Sequence, residues 1–332
     1  MKRLIAEFEK QSFTQIIFPH QQTDWKEYLN EAQETFVNII NSIKKYQKCL
    51  IVSYDVEAVK KRFINHKNLF FVEYLCDDTW ARDCSALTIE DETHTELLDF
   101  TFTAWGGKFQ ASRDNLMSQN LAKYYSVPMQ KCDFILEGGG IESNGEGLIM
   151  TTSECILNSN RNATLTPTEV NAKLKEYFGA REILILNHGY LSGDDTDSHI
   201  DTLARFISSD TIMYVKCENQ NDEHYHELSL MEAELQAHAK TYDLKLIALP
   251  MCDPLYYQEE RLPATYANFL FVNGAVIVPI YGVKQDKLAI EIFKETFKDL
   301  EIVGVNCSLL VRQHGSLHCV TMNFARDVFL KV

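Results

Sequence analysis

A cysteine stands directly behind a histidine near the end of the chain, in RQHGSLHCVTMNF, Arg312 to Phe324. A thiol so placed is either a buried strand residue or a nucleophile. Three other stretches hold side chains that such a nucleophile needs. CDDTWARDCSALTI, Cys76 to Ile89, sets Trp80 three residues before Asp83. An aromatic face beside a carboxylate suits a planar cation. FILEGGG opens the stretch from Phe134 to Asn162 and ends an apolar run on Glu137, ahead of three glycines. Glycines let a ligand or another backbone come close. GDDTDSHIDTLARF, Gly193 to Phe206, sets His199 two residues before Asp201, on one face if the segment is a strand. That pair suits proton transfer or metal binding. Each stretch alone has an ordinary reading: a core thiol, a half-buried Trp beside a surface aspartate, a loose turn, an exposed polar pair. Together they supply Cys, His, Glu, two Asp and a Trp. That is the set needed to hydrolyse a guanidinium through a covalent thiol intermediate.

The elements that position these residues alternate along the chain. WKEYLNEAQETFVNIINSIKKY carries Leu29, Ala32, Phe36, Ile40 and Ile43 at helical spacing and leads into the strand-like CLIVSY. DVEAVKKRF leads to LFFVEYL, TPTEVNAKLKEYF to EILIL, ELSLMEAELQAHAKTY to LKLIALP, and DKLAIEIFKETFKD to EIVGV. Apolar runs such as LLDFTFTAW, GLIMTT, TIMYVK and NFLFVNGAVIVPIYG lie between these pairs, and Asn273-Gly274 in the last is a two-residue hairpin turn. No GxGxxG opens a first helix, which counts against a dinucleotide fold. The pattern predicts an α/β protein of about five ββαβ modules closed in a ring.

The 332 residues lack a Pro/Ser-rich linker or low-complexity tract, so a single catalytic domain over 1–332 is the expectation. Nine cysteines, an odd number with no CxxC pair, argue against a disulfide framework or a zinc ribbon and for reduced thiols. A formal net charge of −15 disfavours nucleic acid as a partner and is compatible with a cationic substrate. No apolar run approaches the ~20 residues of a membrane span. The basic tip MKRLIAEFEK meets Glu7 and Glu9 where a leader needs an apolar core. A cytoplasmic protein with no membrane partner is expected.

The four stretches, with AEFEKQSFTQIIFPHQQTDW and FTAWGGK, resemble the agmatine deiminases, grouped with the bacterial-type peptidyl-arginine deiminases in the guanidine-modifying superfamily. The resemblance covers nearly the whole chain. It implies a five-bladed α/β propeller of ββαβ modules, the pentein fold. It implies hydrolysis of agmatine to N-carbamoylputrescine and ammonia, on the way to putrescine, with no metal and no organic cofactor. By motif it assigns the nucleophile to Cys319 and the general acid/base to His199. The guanidinium carboxylates fall on Asp83 and Asp201, the further acidic residue on Glu137 and the aromatic position on Trp80. Asp195 matches an acidic position near the substrate amine. Two departures stand out: Ser198 replaces the glycine usual before the histidine, and HGSLHC keeps one glycine of a longer run.

Three other readings compete. Arginine or peptidyl arginine could be the substrate. A metal hydrolase would draw on His199, Asp201, His224 and His226, although residues two apart in the helical EHYHE diverge. A dead binding protein would not need all five polar residues. Oligomeric state stays open, a homo-oligomer included.

Overall fold

The computed structural model describes residues 2–331. Its strands form five small sheets and one two-stranded ribbon, Tyr256–Tyr257 with Glu260–Arg261. One unit shows the pattern. Ala204–Ser208 pairs antiparallel with Thr211–Lys216. The helix Tyr225–Tyr242 then crosses to Lys245–Pro250, which lies parallel to Thr211–Lys216. A parallel neighbour needs such a crossover, whereas the antiparallel pair needs only a turn.

The same order recurs. Leu87–Glu90 and Thr95–Thr101 are followed by the helix Asp114–Leu121 and the strand Met129–Ile135. Glu142–Ser143 and Leu148–Thr152 are followed by Pro167–Phe178 and Glu182–Leu186. Leu270–Val272 and Ala275–Ile280 are followed by Gln285–Thr296 and Glu301–Asn306. In the fifth sheet, Gln11–Ile17, the helix Leu29–Ile43 and Lys48–Ser53 come from the start of the chain. The antiparallel partner, Thr321–Ala325, comes from its end, with Phe324 opposite Phe13. Leu69–Glu73 extends that sheet and Arg3–Leu4 extends another. The fold is thus mixed α/β with a repeated ββαβ order, and the five sheets are separate rather than closed on one another.

Local sequence explains the elements. Pro167 opens its helix behind a reciprocal Thr166–Glu169 capping box, and Gly179 ends it at φ 60°. Asn273-Gly274 turns the hairpin, with Val272 opposite Ala275. Ala32, Phe36, Ile39, Ile40 and Ile43 bury one stripe of their helix. Two clusters of buried side chains form the core. No helix among the described residues is long and apolar enough to cross a membrane.

Repetition is what gathers the chemistry. In each unit a residue of the site lies two to five positions ahead of the first strand of the antiparallel pair. Asp83 precedes Leu87–Glu90, Glu137 precedes Glu142–Ser143, Asp201 precedes Ala204–Ser208, Asn268 precedes Leu270–Val272 and Cys319 precedes Thr321–Ala325. The expected strand at His199 is not there. Asp197 and Ser198 are both left-handed, at φ 65° and 60°, and His199 leads into a 3-10 turn, Ile200–Thr202. Two such residues in a row explain why glycine suits the position of Ser198. Ser198→Gly is expected to stabilise the fold by about 0.5–1 kcal/mol, the left-handed strain relieved less the added chain entropy. Denaturant titration of the two proteins checks it.

Candidate active site

Asp83 is the third residue of a helical turn, Ala81–Cys84. Its Oδ1 accepts from the Gly139 amide at 2.9 Å and lies 3.7 Å from His199 Nδ1. Its Oδ2 accepts from Trp105 Nε1 at 3.0 Å. Asp201 accepts at Oδ2 from His318 Nδ1 at 2.7 Å, and the same oxygen is 4.0 Å from Cys319 Sγ. The thiol also points at Asn268 Oδ1, 3.5 Å away. Arg82 N–H donates to the Cys319 carbonyl, which fixes the Asp83 turn against the cysteine loop. Gly139 marks the centre. A methyl group there would lie 2.7 Å from His199 Nδ1, 2.9 Å from Asp83 Oδ1 and 3.0 Å from Asp201 Oδ2.

Glu137 is fully buried and accepts from Arg161 Nε at 2.8 Å. Arg161 also reaches Asp197 and the Thr196 carbonyl, so it ties Glu137 to the loop that carries His199. Glu137 Oε2 is 3.9 Å from His199 Nε2, too far for a hydrogen bond. Of the eight buried side-chain atoms without a hydrogen-bond partner among the described residues, three lie here: His199 Nε2, Glu137 Oε1 and Asp201 Oδ1. Each such group costs about 1–3 kcal/mol unless a ligand or water meets it.

Above them lies a pocket of about 160 Å³, lined by Trp80, Asp83, Trp105, Phe109, Asp195 and Cys319 among others. Trp80 is held by its Nε1 donating to Asp78. Gly315 lies flat against its ring: a Cβ there would be 2.1 Å from Trp80 Cζ3. The single glycine kept in HGSLHC is therefore the one that the Trp80 ring requires. Trp105 reaches Asp83 from four successive left-handed residues, Ala104 to Gly107.

Burial sets the charges. It opposes a proton on His199, but Asp83, Cys155 and Glu137 outweigh it and hold the imidazolium well above the ordinary histidine range. Burial raises Asp83, and the His199 charge counters it. Burial also works against ionised Asp201 and Glu137. His318 and His199 overcome it at Asp201, and His199 with Arg161 at Glu137, so both stay low. Cys319 is pushed well above the usual thiol range by burial, then by Asp201 and Asp83. The free protein thus pairs a neutral thiol with a protonated histidine. A cation between Asp83, Asp201 and the sulfur would favour the thiolate.

The seven residues singled out in the sequence divide into two layers. Cys319, Asp83, Trp80 and Asp195 line the pocket. His199, Asp201 and Glu137 lie buried around the Asp83–Gly139 contact. The metal set does not assemble as expected. His224 is bonded to Asp222 and to the Ser192 amide, and His226 is exposed on the helix. One other trio, Glu137, Cys155 and His199, has ligand atoms within 4.8 Å of each other. Arg161 already donates to Glu137 at that spot, and a dication would lie against its charge. Sequence reasoning missed Trp105, Asn268 and Arg161. A tryptophan before two glycines and a polar Asn268 inside an apolar run were the available signals.

A buried cysteine, a charged histidine and carboxylates around a small aromatic pocket define a cysteine hydrolase site for a cation. The model of the Porphyromonas-type peptidyl-arginine deiminase family matches residues 3–324, and the chain belongs to that family. It is 40% identical to a substrate-bound agmatine deiminase variant from C. jejuni, with TM-score 0.94 over 98% of this chain and 97% of that one. An agmatine deiminase from Enterococcus faecalis aligns at 27% identity and TM-score 0.91, over 98% and 96% of the two chains. An amidinotransferase from Microseira wollei, at 12% identity and TM-score 0.54 over 99% and 98%, shares the fold alone.

Gly139→Ala places a methyl group among three reacting-site atoms. It is expected to lower kcat/KM by about a hundredfold or more, as sub-ångström misplacement does. Thermal unfolding should shift far less than that loss implies. Steady-state rates with a melting curve test it.

Proposed function

We propose that the chain is an agmatine deiminase, which hydrolyses agmatine to N-carbamoylputrescine and ammonia through a thiouronium on Cys319. The observation that carries this reading is the meeting of Asp83, Asp201 and the His199 imidazolium around Gly139, with Cys319 Sγ 4.0 Å from Asp201 and both Asp83 and Cys319 lining an aromatic pocket. The family match and the substrate-bound C. jejuni relative support the substrate class. The recurring polar residue ahead of each unit's first strand supports a finer fold: five blades around the site, in one catalytic domain over 1–332. A diffusible substrate suits a cytoplasmic enzyme, and the ureido product would feed putrescine synthesis.

Asp83 and Asp201 hold the guanidinium N–H groups and set its central carbon beside the sulfur. The substrate's charge offsets the two carboxylates that disfavour the thiolate, so Cys319 gives up its proton to solvent as the cation enters. The thiolate forms a C–S bond to the guanidinium carbon. His199 gives its proton to one nitrogen of the tetrahedral adduct, and the C–N bond breaks to release ammonia. The now neutral His199 takes a proton from water as its oxygen attacks the thiouronium carbon. The C–S bond then breaks, the sulfur leaves with the adduct's hydroxyl proton as the neutral thiol, the ureido product departs and His199 is again protonated. Glu137 steadies that charge. Every step is assigned to a side chain and none to a Lewis acid.

Substrate choice turns on the far end of the pocket. Asp24, Asp78, Asp195 and His314 are among the residues that line the pocket, and no Arg or Lys among the described residues does. Burial and Asp24 push Asp78 well up, which leaves Asp195 as the better partner for an amine. An ammonium is attracted there, and the α-carboxylate of arginine would meet repulsion. At ~4 Å and an effective dielectric of ~20 one such contact is worth about 4 kcal/mol before desolvation. A hundredfold preference needs only about 2.7 kcal/mol.

Cys319→Ser should lose nearly all turnover while staying folded, and a cationic haloacetamidine should label Cys319 in the wild type. Labelling at Cys84 or Cys307 with an active Cys319→Ser protein would overturn the nucleophile, and activity lost to a chelator and restored by zinc or manganese would revive the metal reading. A panel of agmatine, arginine and a blocked arginyl peptide, read by ammonia release, tests the substrate.

Asp195 is pushed up to about 6 by burial and by Asp194. It is therefore charged above that pH and loses its charge as pH falls through it. The agmatine KM should climb below pH ~6. Asp195→Asn should show a raised KM at pH 7.5, a flatter profile between pH 7 and 5, and a weaker preference over arginine. An unchanged kcat/KM ratio for the two substrates would move amine recognition to another residue.

A further inference from the structure

Behind the site lies a chain of buried charges that begins at the other end of the sequence. His318 Nδ1 faces Asp201 Oδ2 at 2.7 Å, and its Nε2 makes a short contact with Glu7 Oε2. The ring is 1% exposed and the Glu7 side chain 8%. Glu7 Oε2 also accepts from Arg205 Nη2 at 2.9 Å and lies 3.2 Å from Arg82 Nη2. Arg205 pairs in turn with Glu142 and donates to the Phe269 carbonyl. An imidazole between two ionised carboxylates donates from both nitrogens. The ring therefore uses up one oxygen of Asp201, and the other, Oδ1, is left unpartnered in the site.

We propose that Glu7 and His318 form a positioning relay that fixes the Asp201 carboxylate, ionised and with Oδ1 turned toward the guanidinium. Neither residue touches the substrate. The inference rests on the deiminase reading for its kinetic arm only, because alkylation of Cys319 needs no turnover. The groups facing the relay are Arg82, Arg205 and Glu142 on the Glu7 side, and His199, Asp83 and Cys319 on the Asp201 side. Without His318, Asp201 loses its hydrogen-bond donor and keeps His199, Arg205 and Arg82 as nearby cations, so its carboxyl protonates at higher pH. The acid limb of kcat/KM then moves up.

The test compares His318→Gln and Glu7→Gln with the wild type. His318→Gln should lower kcat/KM for agmatine by about a hundredfold and Glu7→Gln by about tenfold, with the acid limb displaced upward by about one pH unit in the first. Chloroacetamidine, a cation, and iodoacetamide, a neutral reagent, are applied to each protein. The ratio of their inactivation rates should fall about tenfold or more in His318→Gln, because a cation is no longer guided to the sulfur. If both variants lose rate while the acid limb and the labelling ratio stay at wild-type values, the pair only props up the fold and the relay is refuted. If His318→Gln does not fold, Glu7→Gln is read by the same two measures, with the same refuting outcome. Loss of the labelling ratio in a protein that proves inactive on agmatine would support the relay and sink the substrate assignment instead.

Discussion

The contact between Asp201 and His318 is the one on which the site depends. It joins the carboxylate beside the thiol to a set of charges that no single unit of the fold contains. Asp201 and Arg205 come from one unit, Glu142 from another, Arg82 and Asp83 from a third, and His318 and Glu7 from the two ends of the chain. Four buried cations, Arg82, Arg161, Arg205 and His199, and the His318 ring face five carboxylates, Glu7, Asp83, Glu137, Glu142 and Asp201. With all of them ionised the charges cancel. Neutrality is what makes such burial tolerable, since an unpaired buried ion costs several kcal/mol. It also means that the arrival of one cation is balanced by the departure of one proton, and the thiol of Cys319 is the group placed to give it up.

Stability alone does not account for this arrangement. Buried ion pairs roughly break even against apolar packing of the same shape, so the network is weak as a source of folding energy. Its value lies in fixing direction. Asp83 has one oxygen tied to the Gly139 amide and the other to Trp105, and Asp201 has one tied to His318. Glu137 is held by Arg161 and the thiol by Asn268. Each reacting group is thus oriented by a neighbour before substrate arrives, and little reorganisation remains for the reaction itself.

Much of this was legible in the sequence, and for a physical reason. Helical stripes and alternating apolar runs report burial, so the helix–strand pairs and the hairpin at Asn273-Gly274 could be placed without coordinates. The repeated ββαβ order followed. The closed ring predicted from that order goes beyond what the pairing of strands displays, because contacts within a sheet do not describe how sheets meet. The strand on which His199 and Asp201 would share a face does not form. Two left-handed residues, Asp197 and Ser198, turn the chain there, and neither residue type announces such a conformation. Trp105 and Arg161 act through contacts far away in sequence, which spacing does not reveal. Asn268 was the recoverable miss. Four units place a site side chain two to five residues before their first strand, and a polar Asn268 two residues before Leu270–Val272 falls within that range.

Distance along the chain has a further consequence. Glu7 and His318 are 311 residues apart, and the strand behind Cys319 pairs with Gln11–Ile17. The nucleophile is therefore placed only after both ends of the chain have met, by the strand pairing on one side and by the ion pair on the other. Contacts of such long separation form late, because the loop entropy must be overcome before they stabilise anything. Until then Asp201 lacks its imidazolium partner and Cys319 lacks its hold on the Asp83 turn, so a partly folded chain has no organised nucleophile. The same strand pairing that completes the hydrophobic sheet brings Glu7 to His318, so the site is assembled from distant parts of the sequence rather than within any one module.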